Sequence, residues 1–108
     1  MPLVDEISPV DLKARIDRGE RPFILDVREP EEVSLAAFPH ATNIPMGDIP
    51  SRVSELDPYR ETIVVCHHGI RSAQVAIYLA RMGFERAINL AGGIDEWSLS
   101  ADPAVPRY

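Results

Sequence analysis

Two short runs that do not alternate, Phe23-Ile24-Leu25-Asp26-Val27 and Thr62-Ile63-Val64-Val65-Cys66, restrict what this chain can fold into. A strand with one wet face alternates apolar and polar side chains, whereas a run that is apolar throughout has to be covered on both faces. Ala87-Ile88-Asn89-Leu90 reads as a last strand of the same kind. Between these runs the period changes. Ser8 is placed to cap a helix, Pro9 suits its first turn, Leu12 and Ile16 share one face, and Gly19 supplies the stop. Glu29 to Phe38 reads as a weak helical turn, and Ile49 to Leu56 as a short helix ended by Pro58. Ser72 to Met82 carries the apolar spacing of a longer helix, stopped by Gly83. Gly92-Gly93 breaks the chain before a short helix bearing Trp97, a core anchor. Strands alternating with helices over short connections predict an α/β fold, a parallel sheet flanked by helices.

A chain of 108 residues with 45% apolar and 26% charged residues has room for one small globular domain. It is read as a single domain over residues 1–108, with its core at about 4–98 and a Pro-bearing C-terminal tail over 99–108. The tail lacks periodicity and is expected to be extended or loosely packed; whether it crosses the site is open. The net charge of −6, from 11 basic and 17 acidic residues, argues against nucleic acid and against anionic membranes as partners. Apolar runs as short as Ile63 to Cys66 do not approach the roughly 20 residues of a membrane span. The N-terminus has no basic start followed by an apolar stretch, so a cytoplasmic location is expected.

Chemistry concentrates in Cys66-His67-His68-Gly69-Ile70-Arg71-Ser72, which runs from the end of a central strand into the start of a helix. Open α/β sheets place their sites beyond the carboxyl ends of strands. Gly69 allows the loop to turn tightly, so that successive backbone N–H groups and the helix N-terminus converge on the Cys66 sulfur. Arg71 adds positive charge. That setting favours the nucleophilic thiolate and also attracts an anion, be it thiosulfate, sulfite, phosphate or arsenate. Cys66 is the chain's one cysteine, so any sulfur chemistry it begins is completed by a partner molecule.

Four segments, Asp26-Val27-Arg28-Glu29-Pro30-Glu31-Glu32, Ala41-Thr42-Asn43-Ile44-Pro45, Cys66 to Ser72, and Leu90-Ala91-Gly92-Gly93-Ile94-Asp95-Glu96-Trp97, together resemble the single-domain rhodanese family. The resemblance spans residues 4 to 98. It implies a five-stranded parallel sheet with helices on both faces, and a sulfurtransferase in which Cys66 carries sulfane sulfur as a persulfide. The donor would be a small sulfur compound such as thiosulfate. The acceptor would be cyanide in an assay, or a thiol or an acceptor protein in cellular sulfur metabolism. Four residues, His67 to Ile70, separate Cys66 from Arg71; the related phosphatases and arsenate reductases have five and a wider pocket, so those activities are the less favoured reading. One segment departs from the pattern. Where the family has Gly-His-Ile-Pro-Gly-Ala, this chain has Ala36-Ala37-Phe38-Pro39-His40-Ala41, which puts the local turn in question and leaves open a low-turnover persulfide carrier or recognition module.

The roles follow from residue type and place. Cys66 is the candidate nucleophile; Arg71 is assigned to the donor's oxygens, because a cation at a helix N-terminus is unfavourable without an anion beside it. His67, His68, Gly69, Ile70 and Ser72 are assigned to substrate binding, with Ser72 equally suited to capping the helix. The two histidines, being adjacent, are expected to point apart. Asp26 and Arg28 are assigned to structural support of the loops. A metal set of Cys66, His40, His67 and His68 is set aside because consecutive histidines do not match common zinc spacings. No metal or organic cofactor is expected.

Overall fold

The computed structural model describes residues 4–108. Among them five strands form one parallel sheet: β1 (Asp5–Ile7), β2 (Phe23–Asp26), β3 (Thr42–Asn43), β4 (Thr62–Val65) and β5 (Ala87–Leu90), in the order β1-β5-β4-β2-β3. Helices α1 (Pro9–Asp17) and α5 (Gly93–Ser100) cover one face, and α3 (Ile49–Arg52) and α4 (Ile70–Arg81) the other; α2 (Pro30–Leu35) follows β2. The non-alternating runs have the expected explanation. Ile24, Ile63, Val65, Ile88 and Leu90 pack on the α1 and α5 side with Leu12 and Trp97. Leu25, Val27, Val64, Cys66 and Ala87 pack on the α4 side with Val75, Ala76 and Leu79. Removing both sets from water is the main source of stability in a sheet of this type.

Ser8 caps α1 as its sequence suggests, its hydroxyl accepting the Asp11 N–H at 3.1 Å. The segment after Pro45 is more broken than the single short helix expected over 49–56: a 3-10 turn at Met46–Asp48 leads into α3, and a second follows at Val53–Glu55. Pro50 lies in the first turn of α3, where its missing N–H costs nothing. Helix α4 begins at Ile70 rather than at Ser72, because Gly69 takes the N-cap position with φ +95°. Gly83 adopts φ +96° just past its end.

Asp26 and Arg28 are buried at the carboxyl end of β2, with Arg28 wholly covered. The Arg28 guanidinium donates to both Asp26 oxygens, at 2.7 Å for the shortest contact, and to the carbonyls of Ala36 at 2.8 Å and Glu32 at 3.3 Å. Asn43 donates to the carbonyls of Asp26 and Arg28, at 2.9 Å each. A buried charge is tolerated when its donors are all met, and here the pair ties β2 to α2 and β3.

The tail is not loosely packed. Val105 joins the core beside α5, and Asp102 N–H and Ala101 N–H both return to the Trp97 carbonyl, so the chain folds back across the sheet end instead of leaving it.

Gly93 lets α5 approach the end of β4. Its φ is +65°, and a Cβ there would stand 2.5 Å from the carbonyl oxygens of both Cys66 and His67. The contact is needed because Ile94 N–H donates to Cys66 C=O at 2.8 Å and Asp95 N–H to His67 C=O at 3.1 Å. Gly93→Ala is therefore expected to cost on the order of 2 kcal/mol, from the left-handed backbone and the clash together, and to lower Tm by about 10 °C in a thermal melt. An unchanged Tm would show that the approach is not constrained as described.

Candidate active site

Cys66 directly follows β4 and is 1% exposed, with its sulfur beneath the loop that leads into α4. Sγ accepts the Gly69 N–H at 3.1 Å and the Ser72 N–H at 3.3 Å, and the Ser72 hydroxyl lies 3.2 Å away. The loop can bring two N–H groups to one atom because Gly69 holds a left-handed conformation that a side chain would strain. An added Cβ at Gly69 would also press on the Gly92 nitrogen at 3.1 Å. Donors fixed in a buried setting stabilise negative charge at the sulfur or at an atom bonded to it.

Ser72 does not cap the helix. Its hydroxyl has one hydrogen and two acceptors, Cys66 Sγ and Asn89 Oδ1, the latter at 2.5 Å. Asn89, buried on β5, donates its amide hydrogens to the Gly69 carbonyl at 3.1 Å and to Glu6 Oε2 at 2.8 Å. It therefore holds both the turn and the hydroxyl that faces the sulfur. Sequence reasoning missed this residue, although a polar side chain inside the apolar run Ala87-Ile88-Asn89-Leu90 was a signal that a buried partner exists.

The Arg71 guanidinium forks onto Glu32 of α2, at 2.7 and 2.8 Å. The anion beside this cation is thus a carboxylate of the protein, one that lies too far away in sequence for spacing to suggest. Arg71 holds the Glu32 carboxyl down at about 2, and Glu32 in turn raises Arg71, with Cys66 a smaller electrostatic contributor. Tyr108 closes the network: Arg28 donates to its hydroxyl at 3.0 Å, and the hydroxyl donates to Glu32 at 3.1 Å.

The two histidines do not point apart. Their rings stack at 3.9 Å between centroids, and the Tyr108 ring stacks on His67 at 3.9 Å and 9°. The tight turn before Gly69 and the returning tail leave His67 sandwiched, its Nε2 3.0 Å from the Tyr108 carbonyl oxygen. His68 is open to solvent, and the Ile70 side chain is 71% exposed at the first turn of α4. His40 lies elsewhere, with φ +59°, in a depression it shares with Lys13, Phe38 and Trp97. The positive φ explains why the family pattern has glycine at this place. Among the described residues the side chains of the metal-ligating types that do gather are His67, His68 and Asp95.

The model of the rhodanese-like domain matches residues 8–100. The chain belongs to this family. It is 39% identical over 100 residues to YtwF of Bacillus subtilis, an alignment covering 93% of this chain and 96% of the relative. It is 36% identical over 103 residues to a protein of Allochromatium vinosum named sulfurtransferase, covering 95% and 96%. Among solved structures, a rhodanese-like domain protein of Staphylococcus aureus superposes with a TM-score of 0.84 at 31% identity, covering 96% and 98%. The five-stranded parallel sheet of this rhodanese-like domain is thus the one its relatives have. No helix among the described residues is long and apolar enough to cross a membrane.

The Glu32 carboxyl gives a pH test of the network. A carboxyl lowered from 4.5 to about 2 contributes stability that is complete above about pH 4.5 and lost as pH falls through about 2. In urea unfolding, the wild-type chain is expected to exceed Glu32→Gln by a constant margin near neutral pH. That margin should close between the two values, whereas one that persists at the acid end would contradict the Arg71–Glu32 pairing.

Proposed function

We propose that this domain is a sulfurtransferase that moves sulfane sulfur from thiosulfate to a thiophilic acceptor through a persulfide on Cys66. The observation that carries the reading is the convergence of the Gly69 N–H, the Ser72 N–H and the Ser72 hydroxyl on Cys66 Sγ, at 3.1, 3.3 and 3.2 Å. The sulfurtransferase name of its Allochromatium vinosum relative supports the same reaction class.

The Cys66 thiolate attacks the outer sulfur of thiosulfate. The new Cys–S bond forms as the sulfur–sulfur bond of thiosulfate breaks, and sulfite departs with the electron pair. The outer sulfur of the resulting persulfide is anionic and takes up the loop donors that faced Sγ. Cyanide, or a thiolate in the cell, then attacks this outer sulfur, and the Cys66 thiolate leaves. No second cysteine is needed within the chain, in keeping with its single one. Arg71 is the cation for the donor's oxygens; because Glu32 already occupies its fork, donor binding involves partial exchange of that pair. His67, His68 and Ile70 form the rim that an acceptor meets. Asp26 and Arg28 support the loops from below.

The test is thiocyanate production from thiosulfate and cyanide. Wild-type turnover is expected, with at least about a thousandfold loss in Cys66→Ser and an unchanged circular dichroism spectrum. Turnover that survives Cys66→Ser would overturn the assignment. Cys66-dependent hydrolysis of an aryl phosphate in place of thiocyanate formation would point to the phosphatase reading.

A further inference from the structure

Three side chains of metal-ligating type gather at the rim of the loop, two of them the histidines that an acceptor would meet, and none bonds to the Cys66 sulfur. His67, His68 and Asp95 each bring one ligand atom to within 4.8 Å of the other two, and His68 Nε2 is 3.9 Å from Asp95 Oδ2. We propose that His67, His68 and Asp95 bind one divalent first-row transition-metal ion of the zinc class. The inference rests on the geometry of these three residues and stands apart from the sulfur-transfer reading.

Two imidazoles and one carboxylate form a donor set that suits zinc, nickel or copper and is a poor one for magnesium, which prefers an all-oxygen shell. Consecutive histidines seldom serve one ion because neighbouring side chains in a strand or helix diverge. Here the turn before Gly69 keeps both side chains on the same side of the loop, with ring centroids 3.9 Å apart. Because imidazole lone pairs lie in the ring plane, His68 has to turn out of this stack for both nitrogens to face one ion. Tetrahedral ligand atoms at zinc distances stand about 3.3 Å apart. The cluster therefore has to contract modestly, and His68, 60% exposed, is free to rotate inward.

The other two ligands are held by outer contacts of the kind that orient metal ligands. His67 is fixed by the Tyr108 ring on one face and by the Tyr108 carbonyl 3.0 Å from Nε2. The Asp95 carboxylate accepts Arg107 Nε on Oδ1 at 2.9 Å, with a longer 3.4 Å contact to Oδ2, the oxygen nearest His68. Arg107 is exposed, and a surface pairing of this kind is readily exchanged. A surface depression of about 500 Å³ borders His68 and Asp95, together with Ser8, Gly92 and Glu96, so an ion there has open room for water or a small ligand to complete its shell.

The probe is zinc chloride, titrated by calorimetry into the full chain carrying Cys66→Ser so that the thiolate cannot take the ion. One zinc ion per chain is expected, with affinity falling at least about tenfold on adding either His68→Ala or Asp95→Ala. Magnesium at the same concentrations should give no heat of binding. Cobalt absorption on the unsubstituted ligand set supplies a second readout if Asp95→Ala fails to fold: visible bands of a nitrogen- and oxygen-ligated ion are expected, and His68→Ala should change them. Absence of zinc binding, or equal affinity in His68→Ala and its parent, would overturn the proposal.

Discussion

The hydrogen bond from Ile94 N–H to the Cys66 carbonyl, with its companion from Asp95 to His67, is the contact on which the site depends. It brings the start of α5 onto the backbone of the cysteine loop and is possible because residue 93 has no side chain. From the other side, the start of α4 supplies the N–H groups that face the sulfur. The loop is thus held between two helix beginnings, one binding its carbonyls and the other aiming donors at Sγ. Negative charge on sulfur meets dipoles that are already in place, with no reorganisation needed when it forms.

A second layer consists of charges that satisfy one another. Arg28 is buried against Asp26, and through Tyr108 and Glu32 the same network reaches Arg71 at the start of α4. The arrangement balances two guanidinium groups with two carboxylates, and the Tyr108 hydroxyl bridges them. Its consequence is that the C-terminal tail is part of the site's support: the residue that bonds Arg28 and Glu32 also lies flat on His67. Asn89 does similar work from β5, where one amide holds the Gly69 carbonyl and the Ser72 hydroxyl.

The central strands were legible because burial on both faces leaves an unmistakable composition, and α1 because Ser8 and Pro9 mark its start. The loop from Cys66 to Ser72 was legible because a glycine and a strand-to-helix transition dictate a turn. The edge strands were not legible from residue pattern. Asp5–Ile7 and Thr42–Asn43 are too short to show a period, and Asp5, Glu6 and Thr42 face solvent as edge residues do. The start of α4 was misplaced by two residues because a serine is a stronger local cap signal than a left-handed glycine. What sequence could not supply were partners brought close only by folding: Glu32 for Arg71, Tyr108 for His67, and Asp95 for His68. Each depends on the packing of distant elements, and with each the local expectation changed, most clearly for the two histidines that stack instead of diverging.

The central claim is that Cys66 accepts one sulfur atom and the loop holds it. The intact mass of the purified chain, measured after reduction, then after thiosulfate, then after cyanide, tests it most directly. The account predicts a gain of about 32 Da with thiosulfate that disappears with cyanide and never occurs in Cys66→Ser. A wild-type chain whose mass does not change with thiosulfate, or a gain of the same size in Cys66→Ser, would contradict it.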